Sequence, residues 1–263
     1  MEWRSPRIFI GGSPGISHYQ VLGERNSGTN FVSTLLRRNL GHGIVEERPY
    51  GWKHGFIDRR VVATPQLLTL VVYRHPVRWL QSVHSKPLEL TDNFDNLTFD
   101  EFLRTPWTGG FVREGGPKEP STADLEPKTA RVFTSPMAVR TAKISYLEEM
   151  ADMGGNIAYL RFEDVNRDPV RTLQALSDAF ALALNAYQSI DGFKGDGGKY
   201  LPKHVPLPSA QQLTKIFDGL DWAVERSIGY DFDDVPTFDG LSPWDRRSLK
   251  SRWRELWRSG SKA

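Results

Sequence analysis

The chain has 263 residues, 39% of them apolar, enough for a substantial core in one large α/β domain or two small ones. Its 34 basic residues nearly balance 32 acidic ones, leaving a formal charge of +2, so an anion site must be local rather than a general polyanion-binding surface. The absence of cysteine excludes disulfides, Cys-zinc sites and thiol catalysis, and fits a reducing compartment.

The N-terminal MEWRSPRIFIGGSPG places charge around too short an apolar run for a signal peptide, and no run approaches ~20 apolar residues. The expectation is a soluble, cytoplasmic protein without a transmembrane segment. YQVLG (19–23) reads as a short buried strand. The loop ERNSG follows, and TNFVSTLLRRNL then carries Phe31, Val32, Leu35, Leu36 and Leu40 at helical spacing. LLTLVVY (67–73) reads as a strand covered on both faces, and Arg74-His75-Pro76 opens a second helix with proline near its first position. NIAYLRFEDV (156–165) reads as a third strand, followed by a helix that Asp168 can cap with Pro169 at its first position.

Three strand–turn–helix units predict an α/β fold with a central parallel sheet flanked by helices. Residues 86–135, rich in Pro, Gly, Thr and charge, read as a long insertion over the active face in which FDEFLR is a short helix. MAVRTAKISYLEEMADM (137–153) reads as a helix. Beyond residue 190 come a Gly-rich basic loop, the segment LTKIFDGLDWAVERSIGY and a helical extension at about 241–263. No linker divides the chain, so residues 1–263 form a single domain in this reading. Asp245 and Glu255 interrupt the basic stripe of RRSLKSRWRELWR, which argues against a nucleic-acid partner.

Gly23 and Gly28 stand at Walker A spacing, yet Thr29 and Asn30 occupy the places of its Lys and metal-binding Ser or Thr. A strand feeding a Gly loop into a helix N-terminus still offers backbone N–H groups and the positive end of a dipole to an anion. Ser27 and Thr29 add hydroxyls, Asn30 an amide and Arg25 a cation. Where a magnesium-dependent P-loop enzyme has an Asp, the second strand ends in Arg74, and no acid lies between Leu67 and Lys86. Two metal-free anion contacts are expected, for a ligand with phosphates at two separated points. Ser82 follows Arg74 by eight residues on the ensuing helix.

These residues resemble the sulfotransferases that use 3'-phosphoadenosine 5'-phosphosulfate (PAPS), whose fold is similar to that of P-loop kinases. Asn26-Ser27-Gly28-Thr29-Asn30 matches the family's K-S-G-T-T loop for the 5'-phosphosulfate, with Asn26 in place of the usual basic residue. Arg74-His75-Pro76 with Ser82 matches its R-N-P and Ser, which bind the 3'-phosphate. YLRFEDVNRDPV resembles its L-R-Y-E-D-L segment with the downstream D-P helix, where Glu163 and Asp164 brace the scaffold. The loop GFKGDGGKYLPKH (192–204), with Lys194, Gly198, Lys199 and Lys203, resembles a lid that closes over the nucleotide.

The resemblance implies transfer of a sulfuryl group from PAPS, without metal, to a hydroxyl of a carbohydrate or related small acceptor. GWKHGF (51–56) falls where the family carries a strand ending in K-T-H, making His54 the candidate base and Lys53 and Arg25 the candidate cations at the transferring group. Arg140 and Lys143 rank below them as acceptor or nucleotide contacts, with solvated helix charges as the alternative; His75 shapes the turn and His84 lies on a helix surface. Two other readings stay open: a non-catalytic nucleotide-binding protein of the same fold, and a P-loop kinase.

Overall fold

The computed structural model describes residues 3–11, 15–47, 52–112, 118–190, 192–193, 198–199 and 207–231. A five-stranded sheet has the order β1-β7-β4-β2-β3, from β1 (Arg7–Phe9), β2 (His18–Gly23), β3 (Val45–Glu46), β4 (Leu67–Tyr73) and β7 (Asn156–Arg161). Only the edge strand β1 runs antiparallel to its neighbour. The protein is therefore α/β with a mostly parallel central sheet.

β4 is buried along its whole length because both its faces are covered. Leu68, Leu70 and Val72 join Val32, Leu35 and Leu36 of helix α1 (Thr29–Asn39) and Leu173 and Leu176 of α6 (Pro169–Phe180). Leu67, Val71 and Tyr73 point the other way, toward Ile144 and Leu147 of α4 (Pro136–Glu148). Each such fully buried aliphatic side chain contributes about 1.5–3 kcal/mol relative to exposure. Helix α2 (Pro76–Ser85) begins, as its sequence predicts, with proline at the first turn.

The described parts of the segment 86–135 pack into the domain. They contain α3 (Phe99–Phe102), capped reciprocally by Thr98 and Glu101, and the hairpin of β5 (Gly110–Val112) and β6 (Lys118–Pro120). Leu90, Phe94, Phe102, Trp107 and Phe133 share a core with Trp79 and Leu80 of α2 and with Leu213, Ile216 and Phe217 of α7 (Ala210–Gly219).

Two expected boundaries shift. The strand expected over 156–165 ends at Arg161, and α5 (Phe162–Arg167) begins there. Asp164 returns 2.9 Å to Arg161, Glu163 and Asp164 sit at the favourable end of the helix dipole, and Val165 turns into the core. The helix expected over 137–153 relaxes after Glu148 into a 3-10 turn that ends at Gly154. The C-terminal segment divides into α7 and α8 (Trp222–Ser227), because Asp221 leaves the helical path and caps the amides of Ala223 and Val224. Within the expected lid, β8 (Gly192–Phe193) pairs antiparallel with β9 (Gly198–Lys199). Lys194, Lys203 and the 241–263 extension lie outside the described residues.

Candidate functional site

β2 and β4 are neighbours, with Gly23 in register with Val72. The chain leaves β2 into α1 on one face of the sheet, whereas it leaves β4 into α2, which packs with α4 and α7. This divergence sets the loop 24–28 and the turn at Arg74 side by side at the carboxyl ends of the two strands, the usual place for a ligand in an open α/β sheet.

In the first turn, Gly28 precedes α1 with φ 103°, a left-handed conformation that disfavours any side chain. A Cβ there would also strike the Phe162 ring at 2.2 Å. No side chain caps α1, so its first N–H groups remain for the loop side. The hydroxyl of Ser27 is fully buried without a hydrogen-bond partner among the described residues. Thr29 is buried, whereas Asn30 is exposed and accepts from the ammonium of Lys53. An orphan hydroxyl, an uncapped helix end, a tight Gly cradle and a neighbouring ammonium form a donor set that fits a phosphate.

The second turn is tied to the first through Asn26. The side-chain amide of Asn26 donates to the carbonyls of Ser82 and Lys86, each at 3.1 Å, while its own carbonyl accepts from Arg74 Nη1 at 2.9 Å. Asn26 adopts φ 58°, a left-handed value that Asn tolerates better than most residues. Asn26 is therefore a strut between the two expected phosphate contacts, Arg74 and Ser82. The Arg74 guanidinium also lies 5.2 Å from the Phe162 ring centroid. His75 is buried and edge-on to Tyr230, and its backbone amide donates to Glu163 at 2.9 Å. Tyr230 binds the other Glu163 oxygen at 2.6 Å, so both residues brace the turn.

The segment 52–57 lies beside β2, where the Gly23 amide donates to the Lys53 carbonyl. His54 Nδ1 donates to the Gly23 carbonyl at 2.7 Å; this assigns the proton to Nδ1 and leaves the Nε2 lone pair without a hydrogen bond among the described residues. Burial pushes the imidazole down to about 3, with Lys53, Arg25 and Lys143 adding repulsion, so His54 is neutral at pH 7. That low basicity comes chiefly from burial, and a bound anion would offset only the smaller part due to the cations.

Arg25 is buried rather than aimed freely at the loop. Its Nη2 pairs with Asp124, and its guanidinium lies 4.3 Å from the Trp52 ring centroid and 5.6 Å from that of Trp107. Asp124 also accepts from Lys143 Nζ at 2.5 Å, and Lys143 donates further to the His54 carbonyl. Against the cost of burial, Lys143 and Arg25 hold the Asp124 carboxyl below its usual range. Asp124 is thus shared by two cations, while Arg25 Nε also lies 3.8 Å from the half-exposed Glu89. At Gly109 an added Cβ would come within 2.0 Å of Asp124 Oδ2, so the pair requires glycine there.

Arg140 is also buried, bound to Glu24 and Glu225. Arg140 and Lys143 are thus neither solvated helix charges nor open ligand contacts, since both are consumed in internal ion pairs. His84 likewise departs from the expected helix surface: its Nε2 lies 2.7 Å from the Leu97 carbonyl and its ring meets Phe99 and Phe102. Sequence reasoning missed Trp52, Trp107 and Asp124, since Trp107 and Asp124 belong to the irregular segment and no spacing pattern links either to Arg25. A separate hollow of about 620 Å³, lined by Asp58, Arg59, Arg60, Tyr146 and Glu149 among others, includes none of the loop residues. Its arginines are already paired, with Asp58 and Glu149, and it offers no comparable donor set.

No helix among the described residues is long and apolar enough to cross a membrane. No protein-family model matches the chain, and no curated protein matches its sequence.

Proposed function

We propose that the protein is a PAPS-dependent sulfotransferase acting on a hydroxyl of a carbohydrate or related small acceptor. The observation that carries the reading is the junction of the two turns through Asn26, with the orphan Ser27 hydroxyl in one and the Arg74 guanidinium in the other. A nucleotide with phosphates at its 3' and 5' positions is the ligand class that uses both. On this reading the amides of the loop and of the first turn of α1, with Ser27, Thr29 and Lys53, hold the 5' end. Arg74 and Ser82 hold the 3'-phosphate.

The bound donor supplies an activated sulfuryl group on a phosphate leaving group. The chain's own part is to bind both phosphates, to hold positive charge near the leaving oxygen and to accept the acceptor's proton. His54 is the candidate for the last role because its free nitrogen is Nε2; its basicity, lowered to about 3 chiefly by burial, must rise when substrates bind for it to take a proton efficiently. Lys53, held by Asn30 at the mouth of the loop, takes the place of the family's loop lysine more directly than Arg25, whose charge is shared with Asp124.

A second reading, a non-catalytic nucleotide-binding protein, draws on the same Asn26, whose side chain is engaged with two carbonyls instead of presenting a cation. The test has two parts. Calorimetry in EDTA should show adenosine 3',5'-bisphosphate binding well above 5'-AMP; equal affinity would refute the assignment. Labelled sulfate should then pass from PAPS to at least one member of a glycan and small-alcohol panel, and complete absence of transfer with intact binding would favour the non-catalytic reading.

A further inference from the structure

The turn after β2 and the turn after β4 are joined a second time by a fully buried residue. Arg140 is completely buried. Its Nη1 donates to Glu24 Oε2 at 2.6 Å, and Nη2 donates to the Arg74 backbone carbonyl at 2.9 Å. Nε and Nη2 grip Glu225 on α8 in a fork, at 2.5 and 2.8 Å. Glu24 opens the phosphate loop, and its carbonyl accepts from the Ser27 amide at 3.2 Å. Arg74 opens the other turn and returns to Asn26. The path Glu24–Arg140–Arg74–Asn26 is a closed ring of bonds around the two turns.

From this ring we infer that Arg140 is a positioning residue that fixes the separation of the two anion-binding turns, and so sets selectivity for a ligand carrying two spaced phosphates over one carrying a single phosphate. The inference rests on the proposed reading for its ligand class. A lone lysine or a single ion pair could not do this. The planar guanidinium directs separate N–H groups to Glu24, to the Arg74 carbonyl and to Glu225 at once, so a shift of either turn breaks a buried charge-assisted bond. Two phosphates on one nucleotide act as linked contacts, whose joint advantage depends on the spacing of their sites being preset. A change in spacing therefore penalises the bisphosphate while each turn alone still accepts a monophosphate.

The experiment is a titration of adenosine 3',5'-bisphosphate and 5'-AMP against wild type, Arg140→Lys and a triple variant, E24Q/R140M/E225Q. The triple variant removes the Arg140, Glu24 and Glu225 charges together, so no member of the cluster is left without its partner, which keeps a folded protein available if Arg140→Lys alone does not fold. The expected result is that the affinity ratio of bisphosphate to monophosphate falls about tenfold in the variants while 5'-AMP affinity changes less than about threefold. A wild-type ratio retained in either folded variant overturns the inference, as does an equal loss for both ligands, which would signal a merely structural role. A wild type without any bisphosphate preference would remove the proposed function and this inference together.

Discussion

His54 Nδ1 donates to the carbonyl oxygen of Gly23, the last residue of β2, at 2.7 Å. One bond thus couples the candidate base to the start of the loop 24–28. Asn can reproduce Nδ1 with its amide but has nothing in the place of Nε2. His54→Asn should keep bisphosphate affinity within about threefold while lowering turnover on the order of 10²–10⁴-fold. Unchanged turnover would move the base elsewhere.

The same histidine predicts a pH effect on folding. Its folded value, about 3, lies below its ordinary value near 6.5, so below pH 6.5 the unfolded chain binds a proton that the folded chain does not. Stability is complete above that value and is lost as pH falls toward 3. Glu24 has the opposite sign: burial pushes it up to about 7, against the pull of Arg140, so its contribution is present below about 4.5 and is lost as pH rises through 7. Subtracting the unfolding free energies of His54→Asn from those of wild type cancels Glu24. The difference should shift against wild type by about 2 kcal/mol between pH 7.5 and pH 5 in urea denaturation. A flat difference would mean that His54 titrates alike in both states.

Much of the scaffold is legible in the sequence because short-range rules determine it. The run Leu67–Tyr73 lacks polar alternation because both its faces are covered, and Pro76, Asp168 and Pro169 mark helix starts by their own backbone chemistry. Arg25 shows where this legibility stops. Its neighbours in the chain suggest a loop cation, but its charge is claimed by Asp124, about a hundred residues away in sequence, and by no periodic pattern. Asn26 similarly stands in the sequence as one position of a motif, whereas its place in the fold depends on the carbonyls at the end of α2. Long-range polar pairing leaves little local trace.

Asn26→Ala should remove two side-chain hydrogen bonds and place a less tolerant residue at φ 58°. The expected loss is about 1–3 kcal/mol of stability, with weaker bisphosphate binding because Arg74 and Ser82 lose their common strut. Asn26→Gly should recover part of the backbone cost but not the binding. Equal bisphosphate affinity in all three proteins would show that the strut does not organise the site.

Gly28→Ala tests the cradle directly. The added methyl meets Phe162 at 2.2 Å in a backbone region closed to most L-residues, so the loop or the ring must move. Calorimetry should show bisphosphate affinity falling more than about tenfold, while far-UV circular dichroism stays unchanged because the clash is local. Retained affinity would place the anion away from the N-terminus of α1.

The last prediction concerns the Arg25–Asp124 pair, which joins the loop 24–28 to the 86–135 segment. Asp124→Asn leaves Arg25 and Lys143 buried beside one another with no carboxylate between them, and the expected cost is about 3–5 kcal/mol. Changing both partners, Arg25→Met with Asp124→Asn, removes one cation with the anion and leaves Lys143 a neutral oxygen to bind. That double variant should be more stable than Asp124→Asn alone, although it loses the guanidinium packed against Trp52. Urea denaturation at pH 7.5 and low salt measures the three proteins. A double variant no more stable than the single would mean that the penalty arises from broken packing around Trp107 and Gly109 instead of from unbalanced charge.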